Sequence, residues 1–344
     1  MDVSLDDLGW CIEQIMPANP GYLMALPTRI DPMLGYLTTG YHDHVRIRDQ
    51  FGYRVNDAMW SFFQELGVID RDGKPTEHFG DPVWVYQEYC RRAGDPRSTR
   101  EIVAEAQQSL EEIRRRGVLI SQGYDGQPSQ LPKDLDQEIH RIYDDAKQCI
   151  WAELPENYAA SIAPAIPVAT LSTDRNDYIL HPASGEALSP SSIETLRQLR
   201  SQHADAYNAL FVLSDGLNAL ALTSDDQAKT LLEHLENELK LSGIRIAPER
   251  LLIRSGRVRA GYRIGELMFG GRSGPMHLLH IVGERPGSGH RTLSIYITSA
   301  DGQEWSKPAA IDHNITKVVS GIASTALLPK QGAEAAGRIL RTLI

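Results

Sequence analysis

Cysteine is scarce in this 344-residue chain: Cys11, Cys90 and Cys149 lie far apart and form no Cys-x-x-Cys pair. An odd, sparse set argues against a disulfide framework or a cysteine zinc site, and suits reduced, packed thiols in the cytoplasm. Long apolar runs are missing too. None approaches the ~18 residues of a membrane span, and the acidic start MDVSLDDLGW lacks the charged and apolar regions of a signal peptide, so no membrane association is expected. Basic charge is in the minority, 35 Lys and Arg against 45 Asp and Glu, and the net charge of -10 argues against nucleic acid as a partner. The one compact basic cluster, Arg114-Arg115-Arg116, ends a predicted helix, where cations complement the dipole. A phosphate loop lacks its lysine, because Gly289 is followed by His290-Arg291-Thr292, and the same stretch fails the last glycine of a dinucleotide fingerprint. No G-x-S-x-G elbow, HExxH or paired Cys/His constellation supports hydrolase chemistry.

What is present is an ordinary globular composition, 42% hydrophobic and 23% charged, over a length that accommodates two domains. The texture changes along the chain. Residues 1–90 are rich in aromatics and turn signals, with a helix expected in VNDAMWSFFQELGVI, ended by Asp70 and Gly73. Residues 98–117 form an amphipathic helix with Ser98 or Thr99 as N-cap and Gly117 at the C-terminal cap. The polar SQGYDGQPSQLPKD (121–134) is the linker candidate, and a helix over 135–154 stops at Pro155. From about residue 165, short apolar strands alternate with helices: ALFVLSD, ERLLIRSG, HLLHIVG and TLSIYIT read as strands, and 317–344 as one or two closing helices. Near-continuous apolar strands separated by helices predict an α/β fold with a sheet covered on both faces.

Three of these strands end at glycine: Asp215-Gly216, Ser255-Gly256 and Gly283-Glu284. If they run parallel, their loops gather on the one edge where open α/β sheets hold ligands. Glu284-Arg285, directly on a strand end and before Pro286-Gly287, is unusual for a plain connection, and glycine there lets backbone approach a bulky ligand. His42, Asp43 and His44 have the look of a metal cluster, but His42 and His44 share a face only on a strand, and helix-start chemistry explains Asp43 more simply. No metal is expected.

The segments DRNDYILHPASGEALS, LFVLSDGLNALAL, GRVRAGYRIGEL, IVGERPGSGHRTLSIYIT and DHNITKVVSGI, in this order over 167–343, resemble the small subunit of ethanolamine ammonia-lyase. GYLMALPTRIDPMLGYLTTGYHD, then FFQELGVI and FGDP, within 1–85, resemble the carboxyl end of that enzyme's large subunit. The resemblance implies three parts: 1–90 a large-subunit-like barrel segment, 91–165 a helical linker, and 166–344 a cobalamin-binding α/β domain. The implied fold is a Rossmann-like, mostly parallel sheet with helices on both faces, preceded by a fragment that completes the (β/α)8 barrel of a partner chain.

By the same resemblance, the cofactor is adenosylcobalamin and the substrate a small vicinal amino alcohol such as ethanolamine, converted to an aldehyde and ammonia by radical chemistry. Met24 matches a substrate-pocket methionine, and Met33, Val258 and Glu284 match cobalamin contacts. Asn314 stands where the family has a cobalamin-contacting cysteine. Ile30-Asp31 and Gly35-Tyr36 also depart from the large-subunit pattern, and most of the catalytic barrel is missing from this chain. A large catalytic barrel subunit is therefore the implied partner, with no catalytic residue of its own assigned to this chain. The implied setting is cytoplasmic, and a bacterial microcompartment is compatible with it. The alternative is a non-catalytic cobalamin-binding or scaffold homologue that has lost the substrate site. An unrelated nucleotide-binding α/β protein is disfavoured by the missing lysine.

Overall fold

The computed structural model describes residues 4–26, 39–115, 133–203, 206–287 and 289–343. Two compact units divide the chain: residues 1–146 with 287–289, and residues 147–286 with 290–344.

The first unit runs through α1 (Leu8–Ile15), β1 (Ala25–Leu26), β2 (Thr39–Gly40), α2 (Tyr41–Phe51), α3 (Asp57–Glu65), α4 (Pro82–Arg92), α5 (Thr99–Arg115) and most of α6 (Lys133–Trp151). Its strands form a short parallel pair in which Ala25 faces Thr39. The caps were written in the sequence. Ser98 and Glu101 exchange bonds reciprocally at the start of α5, with the Ser98 N–H donating to the Glu101 carboxylate at 2.9 Å. Asp81 accepts from the Val83 and Trp84 N–H groups ahead of α4, whose first residue is proline. The Gly117 cap and most of the 121–134 linker lie outside the described residues. Helix α3 stops at Glu65, earlier than expected, because Gly67 turns the chain with φ +72°.

The second unit continues with α7 (Tyr158–Ser161), β3 (Ala165–Ala169), α8 (Arg175–Leu180), α9 (Pro190–His203), β4 (Ala209–Ser214), α10 (Ala219–Thr223) and α11 (Gln227–Leu241). It then runs through β5 (Arg250–Arg254), α12 (Val258–Phe269), β6 (Pro275–Gly283), β7 (Leu293–Asp301), α13 (Gly302–Trp305), β8 (Thr316–Ile322) and α14 (Pro329–Leu343). Its six strands lie in the order β3-β5-β4-β6-β7-β8. The first four are mutually parallel, and β7 runs against both of its neighbours.

Alternation along the strands builds two cores. Phe211, Leu213, Leu252, Leu279 and Ile281 pack with Leu231 and Leu235 of α11 and Ala336 and Leu340 of α14. Leu210, Val212, Leu251, Ile253 and Leu278 pack with Leu196 of α9 and Ile264 and Met268 of α12. The α/β expectation with helices on both faces holds. One reading is corrected. Residues 316–322 form an edge strand rather than the start of a helix; only Val319 and Ile322 turn inward there, so the continuous apolar signal of a central strand is absent. The Gly/Pro knot after Gly283 links β6 and β7 as an antiparallel pair, with Gly283 opposite Leu293. Among the described residues no helix is long and apolar enough to cross a membrane.

Candidate functional site

The parallel register brings the carboxyl ends of β4, β5 and β6 to one edge of the sheet, as the glycine-ended pattern anticipated. The glycines at these strand ends have a steric reason within the fold itself. Beside Gly283, the space a Cβ would need is taken by the carbonyl oxygens of Asn218 and Asp215, at 2.2 and 2.4 Å. A Cβ on Gly256 would meet Ile253 Cγ2 at 2.6 Å and Ser214 Oγ at 2.7 Å. These positions are small so that the strand-end loops can pack on each other.

Below the loops lies a buried charged frame. The Asp215 carboxylate accepts from the Ser255 N–H at 3.0 Å and the Gly256 N–H at 3.3 Å, and faces Arg175 Nη1 at 3.4 Å. Burial raises the Asp215 pKa, opposed by the Arg175 guanidinium. Arg175 also donates to the carbonyls of Gly216 and Ile150, at 2.9 and 2.7 Å. Two guanidiniums stand close to the Tyr178 ring, Arg175 at 4.9 Å and Arg257 at 4.8 Å, and its hydroxyl donates to the Gly256 carbonyl at 3.1 Å. Burial, then the nearby Asp215 charge, raises the Tyr178 pKa. One network thus joins the ends of β4 and β5, and Arg257 is tied to it through the Tyr178 carbonyl at 3.0 Å.

Above the frame opens a cleft of about 200 Å³. Val258 and Glu284, 26 positions apart in sequence, both line it, with Arg257, Arg285, Tyr296 and His313. The Glu284 carboxylate is set from the neighbouring strand: Ser294 Oγ donates to it at 2.6 Å, and the Tyr296 hydroxyl reaches it at 3.5 Å. Burial, then the Glu284 charge, raises the Tyr296 pKa. Val258 is the first residue of α12. Asn314 is exposed and follows the cleft-lining His313 in a single turn of 3-10 helix. That turn is tied to α12: Arg259 reaches Asp312 at 3.3 Å and Glu186 at 3.2 Å, and the Tyr262 hydroxyl lies 3.2 Å from His313 Nδ1. The arrangement offers two carboxylates, Glu284 and the Arg259-paired Glu186, several guanidinium and hydroxyl donors, and an apolar patch. It suits holding a large polar ligand by its edge.

In the first unit, Met24 is exposed beside an apolar hollow formed with Leu8, Ile12, Met16 and Ile47, and its carbonyl accepts from the Thr39 hydroxyl. Met33, with Ile30-Asp31 and Gly35-Tyr36, lies outside the described residues. At His42-Asp43-His44 the chain starts α2, and the Asp43 carboxylate accepts from the Gly40 N–H at 2.8 Å, so helix-start chemistry does account for it.

Sequence reasoning missed Arg257, Arg285, Tyr296, His313 and Tyr178 as cleft residues. Signals existed for four of them. Arg257 and Arg285 each follow a strand-ending glycine by one or two positions, Tyr296 alternates with Ser294 on β7, and His313 adjoins Asn314. Tyr178 gave none, since only the fold folds α8 under the cleft.

Comparison with known proteins supplies the remaining observation. A family model described as ethanolamine ammonia-lyase light chain (EutC) matches residues 106–344, and one described as ethanolamine ammonia lyase large subunit (EutB) matches residues 1–78. The light-chain match reaches back into the segment read above as a linker. The chain is 31% identical over 161 residues to the ethanolamine ammonia-lyase small subunit of Pseudomonas fluorescens (strain Pf0-1), covering 46% of this chain and 54% of the relative. It is 34% identical over 129 residues to the small subunit of Xanthomonas campestris pv. campestris (strain B100), covering 37% and 44%. The chain therefore spans about half the length of the curated relatives it matches.

Proposed function

The chain belongs to the ethanolamine ammonia-lyase light chain family, and from that premise we propose that it serves as a subunit of an adenosylcobalamin-dependent lyase. The proposed reaction converts ethanolamine, or a related small vicinal amino alcohol, to an aldehyde and ammonia. The observation that carries this reading is the meeting of Val258 and Glu284 in one cleft at the carboxyl edge of the sheet.

The residues present fit such a cofactor in part. A hollow of about 200 Å³ is below the ~300–1,000 Å³ that encloses a drug-sized ligand, so it takes one edge of a corrin and not the whole. Glu284 would accept hydrogen bonds from corrin side-chain amides or ribose hydroxyls, Val258 would give an apolar contact, and Asn314, next to the cleft-lining His313, would offer an amide. When bound, adenosylcobalamin supplies the radical chemistry at its cobalt–carbon bond; this chain binds and orients it.

The remaining face of the cofactor and the substrate are assigned to a partner, a large barrel subunit. Residues 1–90, with Met24 on the substrate side and Met33 on the cobalamin side, would join that barrel; the short parallel pair β1–β2 has the strand direction a (β/α)8 barrel needs. Residues 91–165 connect this segment to the cobalamin-binding domain at 166–344.

Co-expression with a large subunit, followed by titration of cobalamin and assay of aldehyde release, tests the reading. Spectral change with turnover of ethanolamine is the expected result. An assembled pair that shows no cobalamin spectral change would overturn it. Asn314 in place of the family's cysteine favours a second reading, a cobalamin-binding homologue without turnover, and binding with no aldehyde from any small amino alcohol would select that alternative.

A further inference from the structure

A second hollow, of about 500 Å³, opens at the opposite edge of the same sheet. It lies where the chain leaves α9 for β4, approaches β5 and enters β6. Its wall carries four arginines, Arg197, Arg200, Arg245 and Arg272, with Ser201 and Ser273 between them. In a chain of net charge -10 such a concentration of guanidiniums runs against composition.

Two of the four have structural work. Arg200 donates to the carbonyls of Leu267 and Gly270, at 2.9 and 2.5 Å, and so closes the carboxyl end of α12. Arg272 is buried, stacked on the Tyr207 ring at 4.7 Å, and bonds the Tyr207 carbonyl. Packing therefore presets both guanidiniums. The other two have no such task. Arg245 is exposed, and its guanidinium makes no ion pair among the described residues. Arg197 meets Glu194 only at 4.0 Å, with both side chains more than half exposed. Such a pair adds little to stability.

Two preset and two uncommitted guanidiniums around one concavity repel each other until an anion enters. We propose that this hollow is a binding site for a small, multiply charged, phosphate-bearing anion. Guanidinium forks match phosphate oxygens two at a time, the serine hydroxyls add donors, and the volume lies in the ~300–1,000 Å³ range of small-ligand sites. The site lies away from the cobalamin cleft, and the proposal does not depend on the reading of that cleft.

Calorimetric titration of the full chain with inorganic tripolyphosphate at low salt tests it. Saturable binding at one site is expected. The Arg197→Ala/Arg245→Ala double variant should bind at least tenfold more weakly, while keeping its circular dichroism and melting temperature. Arg263→Ala, which removes a partly exposed arginine on α12 that does not line the hollow, should bind as the parent does and so control for net charge. Three results would overturn the proposal: no saturable binding, equal binding by the double variant, or tighter binding of an oligoglutamate peptide than of tripolyphosphate. The last would reassign the patch to an acidic polypeptide.

Discussion

Gly216 and Gly283 pack backbone to backbone where β4 and β6 end: a Cβ on Gly216 would stand 2.2 Å from the Gly283 carbonyl oxygen. Gly216 also has φ +53°. The loops carrying Leu217 and Glu284 are thus one packed layer, and the cleft floor cannot loosen on one side alone. Gly283→Ala should destabilise by about 1–3 kcal/mol through overpacking against rigid carbonyls, and Gly216→Ala by more, since left-handed strain of about 1–2 kcal/mol adds to the clash. Gly243→Ala supplies the contrast: its φ is +71°, with nothing within 4 Å of the added atom. It should cost about 1 kcal/mol from strain alone. Urea denaturation orders the three, and a Gly283 variant no worse than the Gly243 variant would show that the two loops separate freely.

Glu284 is held from β7 by Ser294 and Tyr296 and not by the salt bridge with Arg285 that its sequence position suggests as the plain alternative. Its carboxylate is oriented before any ligand arrives. Glu284→Gln keeps the shape and removes the charge, so stability should change by less than about 1 kcal/mol. Cobalamin affinity should fall about 10- to 100-fold, the range of a lost charge-assisted hydrogen bond of about 1.5–3 kcal/mol. Spectral titration of the assembled complex measures it. An unchanged affinity would assign Glu284 to loop structure only.

The cleft was legible in outline because its two clearest marks are local: a strand ending in glycine, and a charged pair set on that end at Glu284-Arg285. Parallel pairing then brought Val258 and Glu284 together without further information. What stayed hidden depends on contacts far apart in sequence. Arg175 and Asp215 are 40 positions apart and meet only through the fold, and Tyr178 acquires meaning only from the two guanidiniums that approach its ring. Strand β8 was hidden for another reason. TKVVSGI leads into an alanine-rich run, and an edge strand with Lys317 and Val318 turned outward shows neither strict alternation nor a buried run.

His280, on the β6 face that packs against α12, is fully buried, and burial pushes its pKa down to about 4, with the Val258 backbone opposing. The sign follows from proton binding. Unfolded chain takes up a proton near pH 6.5 and folded chain near 4, so the stability from a neutral His280 is present above 6.5 and lost as pH falls through that window. His280→Leu should flatten the acid limb, gaining about 2 kcal/mol relative to the parent on going from pH 7.5 to pH 5. His44, His277 and His290 are shifted down by burial too and leave a residual slope in both proteins. Parallel slopes for variant and parent would show that His280 gains a proton without unfolding the domain.

Arg259 ties the turn that carries Asn314 to α12, and its effect separates from any effect on stability. Its contacts with Asp312 and Glu186 are half exposed, and such pairs add about 0–1 kcal/mol each. The His313 N–H, then the Arg259 guanidinium, hold the Asp312 carboxyl below the usual range, so the network is formed at neutral pH. Arg259→Ala should therefore leave the melting temperature within a few degrees of the parent while lowering cobalamin affinity severalfold, because Arg259 itself lines the cleft and ties the turn carrying the cleft-lining His313 to α12. Asn314→Ala in the same complex gives the direct loss of the amide, and Asn314→Cys introduces the thiol that the resemblance implies at that position. If Asn314→Ala weakens binding and Arg259→Ala does not, the contacts of His313 with Tyr262 hold the turn by themselves.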